Sequence, residues 1–348
     1  MDKSVVLAVA GSGKTRKIIE SLSLDKRTLI ITYTNNNYTN LHQRILDKFG
    51  EIPKNISLCT YFSFLYSFCY LPCVYHRVGS RSMNYNQKHE TFPRKGVGAT
   101  SYLYYLDYSN NLLGNRLSLL INNFAHNDII NRIEKFYDLF MIDEVQDFAA
   151  NDFNFINSLA DGNIQIMYVG DYYQHTYDTS RDGNTRENLH KNGQDEYKKL
   201  FNPHLKIDDT SLLTSYRCST TVCEFVASKL DIDIESSHHR ESSVEIVQDG
   251  VMVKKLVEDI DIPKLFFRSH ADYDCVSTNW GASKGIDHFK DVCVVLNSTT
   301  WKMMKTGNFT KAAASTKNRL YVAVTRARGN VYFIEEKKIA EYKIEERC

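Results

Sequence analysis

The chain has 348 residues, enough for two domains of ordinary size or one large one. With 43% hydrophobic and 24% charged residues, its composition excludes a disordered or low-complexity chain. A net charge of +1 excludes a globally basic surface, so any grip on a polyanion has to come from a local groove.

The first half alternates short apolar runs with helical patterns, the signature of a parallel sheet with crossover helices. Strands are predicted at Val5–Ala8, Thr28–Thr32, Ile56–Cys59, Leu139–Ile142 and Ile164–Val169. Helices are predicted at Lys14–Leu22, Tyr38–Phe49, Ile129–Tyr137 and Phe153–Leu159. Residues 66–128 break the rhythm and read as a small, mostly helical insertion, basic and turn-rich at first, then helical around Tyr102–Tyr108 and Leu117–Phe124. The alternation resumes after Pro203, with strands predicted at Lys264–Phe267, Val292–Leu296 and Val331–Ile334 and helices at Thr220–Lys229 and Ala312–Arg328. The expected architecture is therefore α/β with two domains, 1–203 and 204–348.

The N-terminal run Val5–Ala10 is too short to span a membrane and leads into a glycine-lysine loop, so it reads as a strand rather than a signal peptide. Cys59, Cys69, Cys73, Cys218, Cys223, Cys275, Cys293 and Cys348 form no Cys-x-x-Cys pair and no zinc-ligand spacing with histidines. They read as free thiols, mostly core fillers, in a reducing cytoplasm. His238-His239 reads as part of a polar loop rather than a metal pair, and the acids of Glu241–Glu245 and Glu335–Lys338 as solvated faces rather than a nuclease centre.

Ala8-Val9-Ala10-Gly11-Ser12-Gly13-Lys14-Thr15 follows a predicted strand and opens a predicted helix. A glycine-rich turn in that place points backbone N–H groups and a helix dipole at a phosphate. Ala10 to Arg16 are the candidate nucleotide contacts, with Lys14 on the β- and γ-phosphates and Thr15 on Mg²⁺. Phe140-Met141-Ile142-Asp143-Glu144 is an apolar strand ending in two acids, beyond the end where parallel sheets bind ligands. Asp143 is the second candidate Mg²⁺ ligand, and Glu144 the group that orients and deprotonates the attacking water. Together these imply ATP and Mg²⁺ as cofactors.

Asp143-Glu144-Val145-Gln146-Asp147 resembles the second motif of superfamily 1 helicases of the UvrD/Rep/PcrA type, and further segments resemble that family's motifs in order. They are Thr32–Asn35, Thr60–Ser63, Gly170–Gln174, Ser215–Arg217, Ser283–Asp287 and Leu320–Arg328. The resemblance implies two RecA-like domains with ATP between them and single-stranded DNA across their top. It implies that Gln174 senses the γ-phosphate, that Tyr216 stacks on adenine, and that Arg217 and Arg326 reach the γ-phosphate. Gly285 and Asp287 would lie at the nucleotide. Tyr33, Thr34, Asn35, Thr60, Phe62, Tyr177 and Lys284 would contact DNA. His76–Gly98, with Arg77, Arg81, Lys88, Arg94 and Lys95 against Glu90 and with Tyr85 and Phe92 interleaved, resembles a basic flap over that track.

The chain also departs from the pattern. No glutamine motif precedes the phosphate loop, Gly281 stands where a histidine is usual, and Asp178-Thr179-Ser180 replaces an arginine and a tryptophan. About 60 residues separate Arg217 from Ser283, too few for the usual accessory domain, so the resemblance is to a short variant. The leading expectation is an ATP-dependent, 3′-to-5′ single-stranded DNA translocase or helicase. The alternative is a nucleotide-dependent DNA-sensing subunit with a protein partner, in a repair or anti-phage defence complex. A small-molecule kinase is disfavoured by Gln146, Gln174 and Arg326 together.

Overall fold

The computed structural model describes residues 2–85, 96–176 and 180–344. It divides into two compact units. The first comprises Met1–Val6, Thr15–Gly170 and Tyr177–Asp208; the second comprises Leu7–Lys14, Asp171–Thr176 and Asp209–Cys348.

In the first unit, strands β1 (Lys3–Leu7), β2 (Thr28–Thr32), β3 (Ile56–Thr60), β6 (Leu139–Asp143), β7 (Gln165–Gly170) and β8 (Lys206–Asp208) form one sheet in the order β3-β2-β6-β7-β1-β8. β4 (Met83–Asn84) and β5 (Leu112–Leu113) form a separate parallel pair. The pairs β3–β2, β2–β6, β6–β7 and β1–β8 are parallel. All five residues of β2 and of β6 are buried. That explains why their sequences, TLIIT and LFMID, do not alternate: both faces are covered by crossover segments. Helix Asn35–Phe49 buries Leu41 and Ile45, starts at the Thr34 cap and stops at Gly50, whose φ of 79° suits only a residue without Cβ strain.

β8 lies beyond the expected boundary at Pro203, so the first unit runs to Asp208. Its three residues, Lys-Ile-Asp, are too short and polar to register as a strand pattern. Leu117–Phe136 consists of two helical stretches that meet in a kink at Ala125 (φ −145°, ψ 17°), in line with the two separate helices expected there.

Beneath the ends of β2 and β3 lies a buried carboxyl, Asp152. It accepts hydrogen bonds from the phenols of Tyr61 (3.2 Å) and Tyr33 (3.3 Å). Burial pushes its pKa from 3.8 up to about 6, against the opposing pull of those hydrogen bonds. A raised acid favours the protonated fold. Its contribution is therefore fully present below the unfolded value near 4 and is lost as pH rises through about 6. Asp152→Asn is expected to raise stability at pH 8 by on the order of 2 kcal/mol. The gain should vanish near pH 4 in paired thermal melts, and an equal effect at both pH values would refute this assignment.

The second unit has its own parallel sheet, as expected for α/β. β9 (Thr214–Ser215) and β10 (Glu235–Ser236) form a small parallel pair. β11 (Val244–Ile246), β12 (Lys264–Phe266), β13 (Ser277–Asn279), β14 (Val292–Leu296) and β15 (Val331–Glu335) lie in the order β11-β15-β14-β12-β13. Its core gathers Trp280, Trp301, Tyr321 and Phe333 around β14 and β15. Among the described residues no helix is long and apolar enough to cross a membrane.

Candidate nucleotide site and strand-binding edge

In the first unit the parallel register brings the candidate motifs to one edge of the sheet. Thr32 of β2 is level with Thr60 of β3, Ile31 with Ile142, and Asp143 with Val169. The chain thus leaves β2 into Tyr33-Thr34-Asn35, β3 into Tyr61-Phe62, β6 into Glu144 and β7 into Asp171, all at carboxyl ends. Asp143 is buried and Glu144 half-buried. Glu144 has a φ of 56°, a left-handed conformation that a non-glycine residue adopts only when its surroundings hold it there. The Gln146 amide donates to the Glu144 carboxylate. Gly170 leaves room for this pair: a Cβ there would run into Gln146 Oε1 and lie 2.8 Å from Val145 Cγ1. Thr15 and the exposed Arg16 sit in the first turn of helix Lys14–Glu20, Arg16 paired with Glu20 at 2.6 Å.

The phosphate loop itself, up to Lys14, belongs to the second unit. Gly11 and Gly13 both have positive φ, 72° and 91°. A Cβ on Gly11 would approach Arg217 Cβ to 2.6 Å and Ser215 Oγ to 2.7 Å, so only glycine passes here. The loop is fastened by Val9 N–H to Leu212 C=O (3.0 Å) and by Tyr216 N–H to Gly11 C=O (2.9 Å). Lys14 is buried, its Nζ 3.7 Å from Asp171 Oδ2.

Asp171 is the hub of this region and is fully buried. Its Oδ2 accepts from Gln174 Nε2 (2.9 Å) and from the Tyr321 hydroxyl (3.1 Å). The same hydroxyl accepts from the Ala10 N–H of the phosphate loop (2.7 Å). Helix Ala314–Val324 also holds the stretch after Asp171 through Asn318 Nδ2 to His175 C=O (3.0 Å) and Arg319 Nη2 to Thr176 C=O (3.4 Å). Lys14, Gln174 and the helix leading to Arg326 are thus joined through Asp171 and Tyr321. Sequence reasoning assigned neither residue a role. Both lie inside quoted motifs, which was the only available signal.

Arg326 follows that helix and is 1% exposed. Nε donates to Val322 C=O (3.2 Å), and Nη1 to Ile286 C=O and Asp287 Oδ1 (both 3.3 Å). Nη2 is buried and has no partner among the described residues. Arg217, half-buried, also reaches Asp287 Oδ1, at 2.5 Å, and donates to Thr325 C=O at 3.2 Å. One carboxylate therefore bridges both candidate arginine fingers. Burial, then Arg217 alongside, lowers Arg326 to about 10, so it remains a cation at neutral pH. The unpartnered nitrogen and the glycine cradle both suit an anion with several oxygens, as a nucleotide triphosphate has.

Other candidates fall less centrally. Tyr216 is 57% exposed, its ring open as a stacking face requires. Gly285 is exposed with φ 83° and Lys284 half-buried. Gly281 packs at Thr176, where a Cβ would lie 3.3 Å from Thr176 Cβ. The His238 ring faces the Tyr216 carbonyl at 3.0 Å, and among the described residues no group of three His, Cys, Asp or Glu is arranged around a metal ion.

On the candidate strand-binding edge, Thr34 and Thr60 each cap a helix, accepting from Asn37 N–H and Ser63 N–H, while Asn35 is exposed. Tyr33 is stacked on Tyr61 (5.7 Å) and edge-on to Phe148 (5.3 Å), so much of its ring is engaged in packing. Phe62 is 40% exposed. Tyr177, and Lys88, Glu90, Phe92, Arg94 and Lys95 of the basic flap, lie outside the described residues.

Comparison with known proteins gives two kinds of likeness. The profile of the UvrD/REP helicase N-terminal domain matches residues 75–192. Among solved structures, the arterivirus nonstructural protein 10 helicase, in complex with DNA, is 14% identical; the match covers 96% of this chain and 61% of that one, at a TM-score of 0.50. The PRRSV helicase is 11% identical, over 97% of this chain and 53% of that one, at a TM-score of 0.48. The chain thus spans about three-fifths or less of the helicases it resembles. A search of curated proteins found no match.

Proposed function

We propose that this superfamily 1 helicase-like chain is an ATP-driven translocase on single-stranded DNA that moves 3′ to 5′. The observation that carries the reading is Arg326: a buried guanidinium with one free nitrogen, at the end of a helix that also binds the phosphate loop through Tyr321.

In this reading the N–H groups of Gly11 to Lys14 and the Lys14 ammonium bind the β- and γ-phosphates, with Ala10 held beside them by Tyr321. Thr15 and Asp143 hold Mg²⁺, which when bound neutralises charge on the phosphate oxygens. Tyr216, Gly285 and Asp287 border the nucleotide. Glu144, set by Gln146, takes the proton of the attacking water. Gln174 reports the γ-phosphate, and Arg217 and Arg326 stabilise charge on the transferring oxygens. Arg217 has to leave Asp287 for this, whereas Arg326 offers its open Nη2 while Nε and Nη1 stay anchored. Tyr33, Thr34, Asn35, Thr60, Phe62, Tyr177 and Lys284 contact the strand.

A second reading, a nucleotide-gated DNA-sensing subunit without processive movement, is favoured by one observation. The described residues between Arg217 and Ser283 are taken up by one helix pair and β10 to β13 of the second unit's own core, with no accessory domain. Steady-state ATP hydrolysis with and without a single-stranded oligonucleotide, beside Glu144→Gln and Lys14→Ala, tests the ATPase. The expected result is strong stimulation by DNA that both substitutions abolish. ATP binding with no response to DNA would end the motor claim. Stimulation without displacement of a streptavidin block on the strand would select the second reading.

A further inference from the structure

Four aromatic rings form a column from the core of the first unit to its surface. Phe62, Tyr66 and Tyr70 recur four residues apart along the helix at 61–70, which is wound as a π-helix over Phe64–Tyr70. Phe62 stacks on Tyr66 (5.9 Å, 10°) and Tyr66 on Tyr70 (5.8 Å, 23°). Tyr85, from outside this helix, leans on Phe62 at 5.5 Å. Exposure rises along the column from 0% at Tyr70 to 40% at Phe62 and 64% at Tyr85.

The outer ring is placed by structure rather than left on a free loop. β4 pairs with β5, setting Tyr85 beside Gly114, where a Cβ would come 3.4 Å from the Tyr85 ring. The inner rings secure the approach to it: Tyr70 Oη donates to Ser80 C=O (2.6 Å) and Tyr66 Oη to Arg81 C=O (3.0 Å). π-helical turns concentrate at functional sites. The Tyr85 ring is tilted 58° to Phe62, and this exposed aromatic corner leaves open ring faces that another flat group can cover. The segment leading into Tyr85 is basic: Leu71–Tyr85 contains Arg77 and Arg81 and no acid, while the nearby Asp107 carboxylate is taken up by Asn84 Nδ2 (2.9 Å). A flat partner on an anionic backbone, an unpaired nucleotide base, matches both features.

We infer that Tyr85 and Phe62 together form a stacking platform for an unpaired base, with Tyr85 as its outer face. This rests on the reading of the chain as a single-strand binder and adds a contact outside the helicase motifs, on the insertion. Binding of fluorescein-labelled oligo(dT), and of a blunt duplex of equal length, is measured by anisotropy at fixed salt for wild type, Tyr85→Ala, Tyr85→Trp and Tyr108→Ala. Tyr85→Ala should weaken single-strand binding about tenfold, the scale of one lost base stack. Tyr85→Trp should retain binding, and its indole should be quenched by the strand. The native tryptophans Trp280 and Trp301 are buried, so their emission is a constant signal shielded from the strand. Tyr108, 70% exposed in the same insertion, should tolerate alanine. Wild-type affinity in Tyr85→Ala, or equal losses on strand and duplex, overturns the platform while leaving single-strand binding intact. Absence of binding by wild type overturns both.

Discussion

Arg326→Ala is expected to lower ATP turnover by about 10³-fold, the scale of a lost arginine finger. The guanidinium is already positioned: Val322, Ile286 and Asp287 fix two of its nitrogens, so little entropy remains to be lost when the third meets a phosphate. Arg326→Lys should rescue little, because a single ammonium cannot keep those anchors and also reach outward. Arg217→Ala should cost less, since Arg217 is half-buried and less constrained. Steady-state hydrolysis, with fluorescent-nucleotide binding to separate affinity from turnover, checks this. Retention of more than a tenth of wild-type turnover in Arg326→Ala would reduce the residue to a structural arginine.

Arg116→Ala is expected to destabilise the first unit by about 3–5 kcal/mol. Nε and Nη2 of Arg116 both bind Asp182 Oδ1, at 3.0 and 2.8 Å, and both side chains are about nine-tenths buried. Arg116 also donates to Tyr104 C=O and lies 4.1 Å over the Tyr104 ring, while Asp182 Oδ2 accepts from Asn151. Removing the arginine alone strands a buried carboxylate, which is where most of the cost arises. Replacing both charges, Arg116→Met with Asp182→Leu, should recover most of the loss. Urea unfolding of the single and double variants decides it: a double variant as unstable as the single one would show that charge burial is not the cause. The pair also gives Asp182 a structural task, since it joins Arg116 of the insertion to Asn151 of helix Ala150–Ser158.

The long parallel strands were legible because burial on both faces leaves an unbroken apolar run, as in TLIIT of β2 and VCVVL of β14. β8, β11 and β13 were not, because three-residue strands at or near sheet edges carry too few side chains to show a pattern. The nucleotide-site residues could be named from motif order, yet their coupling could not. The Tyr321–Asp171 contact joins positions 150 residues apart, and no local spacing encodes it. Tyr33 shows the opposite limit: an aromatic at a strand end carries no sign that its hydroxyl shares a buried carboxyl with Tyr61. Phe62 and Tyr85 were each visible as aromatics, but their meeting depends on the β4–β5 pair, only two residues long on each strand.

The position of β8 also sets the order in which the chain becomes foldable. It completes the sheet beside β1, so the first and last strands of that sheet are about 200 residues apart in sequence. During synthesis β1 emerges well before β8, and its outer edge stays open until Lys206–Asp208 has left the ribosome. Such a late, non-local closure slows folding and leaves a bare strand edge exposed to other chains. Cutting the chain at Pro203 would make that transient state permanent, and an isolated first unit has to include Asp208 to cover its own edge.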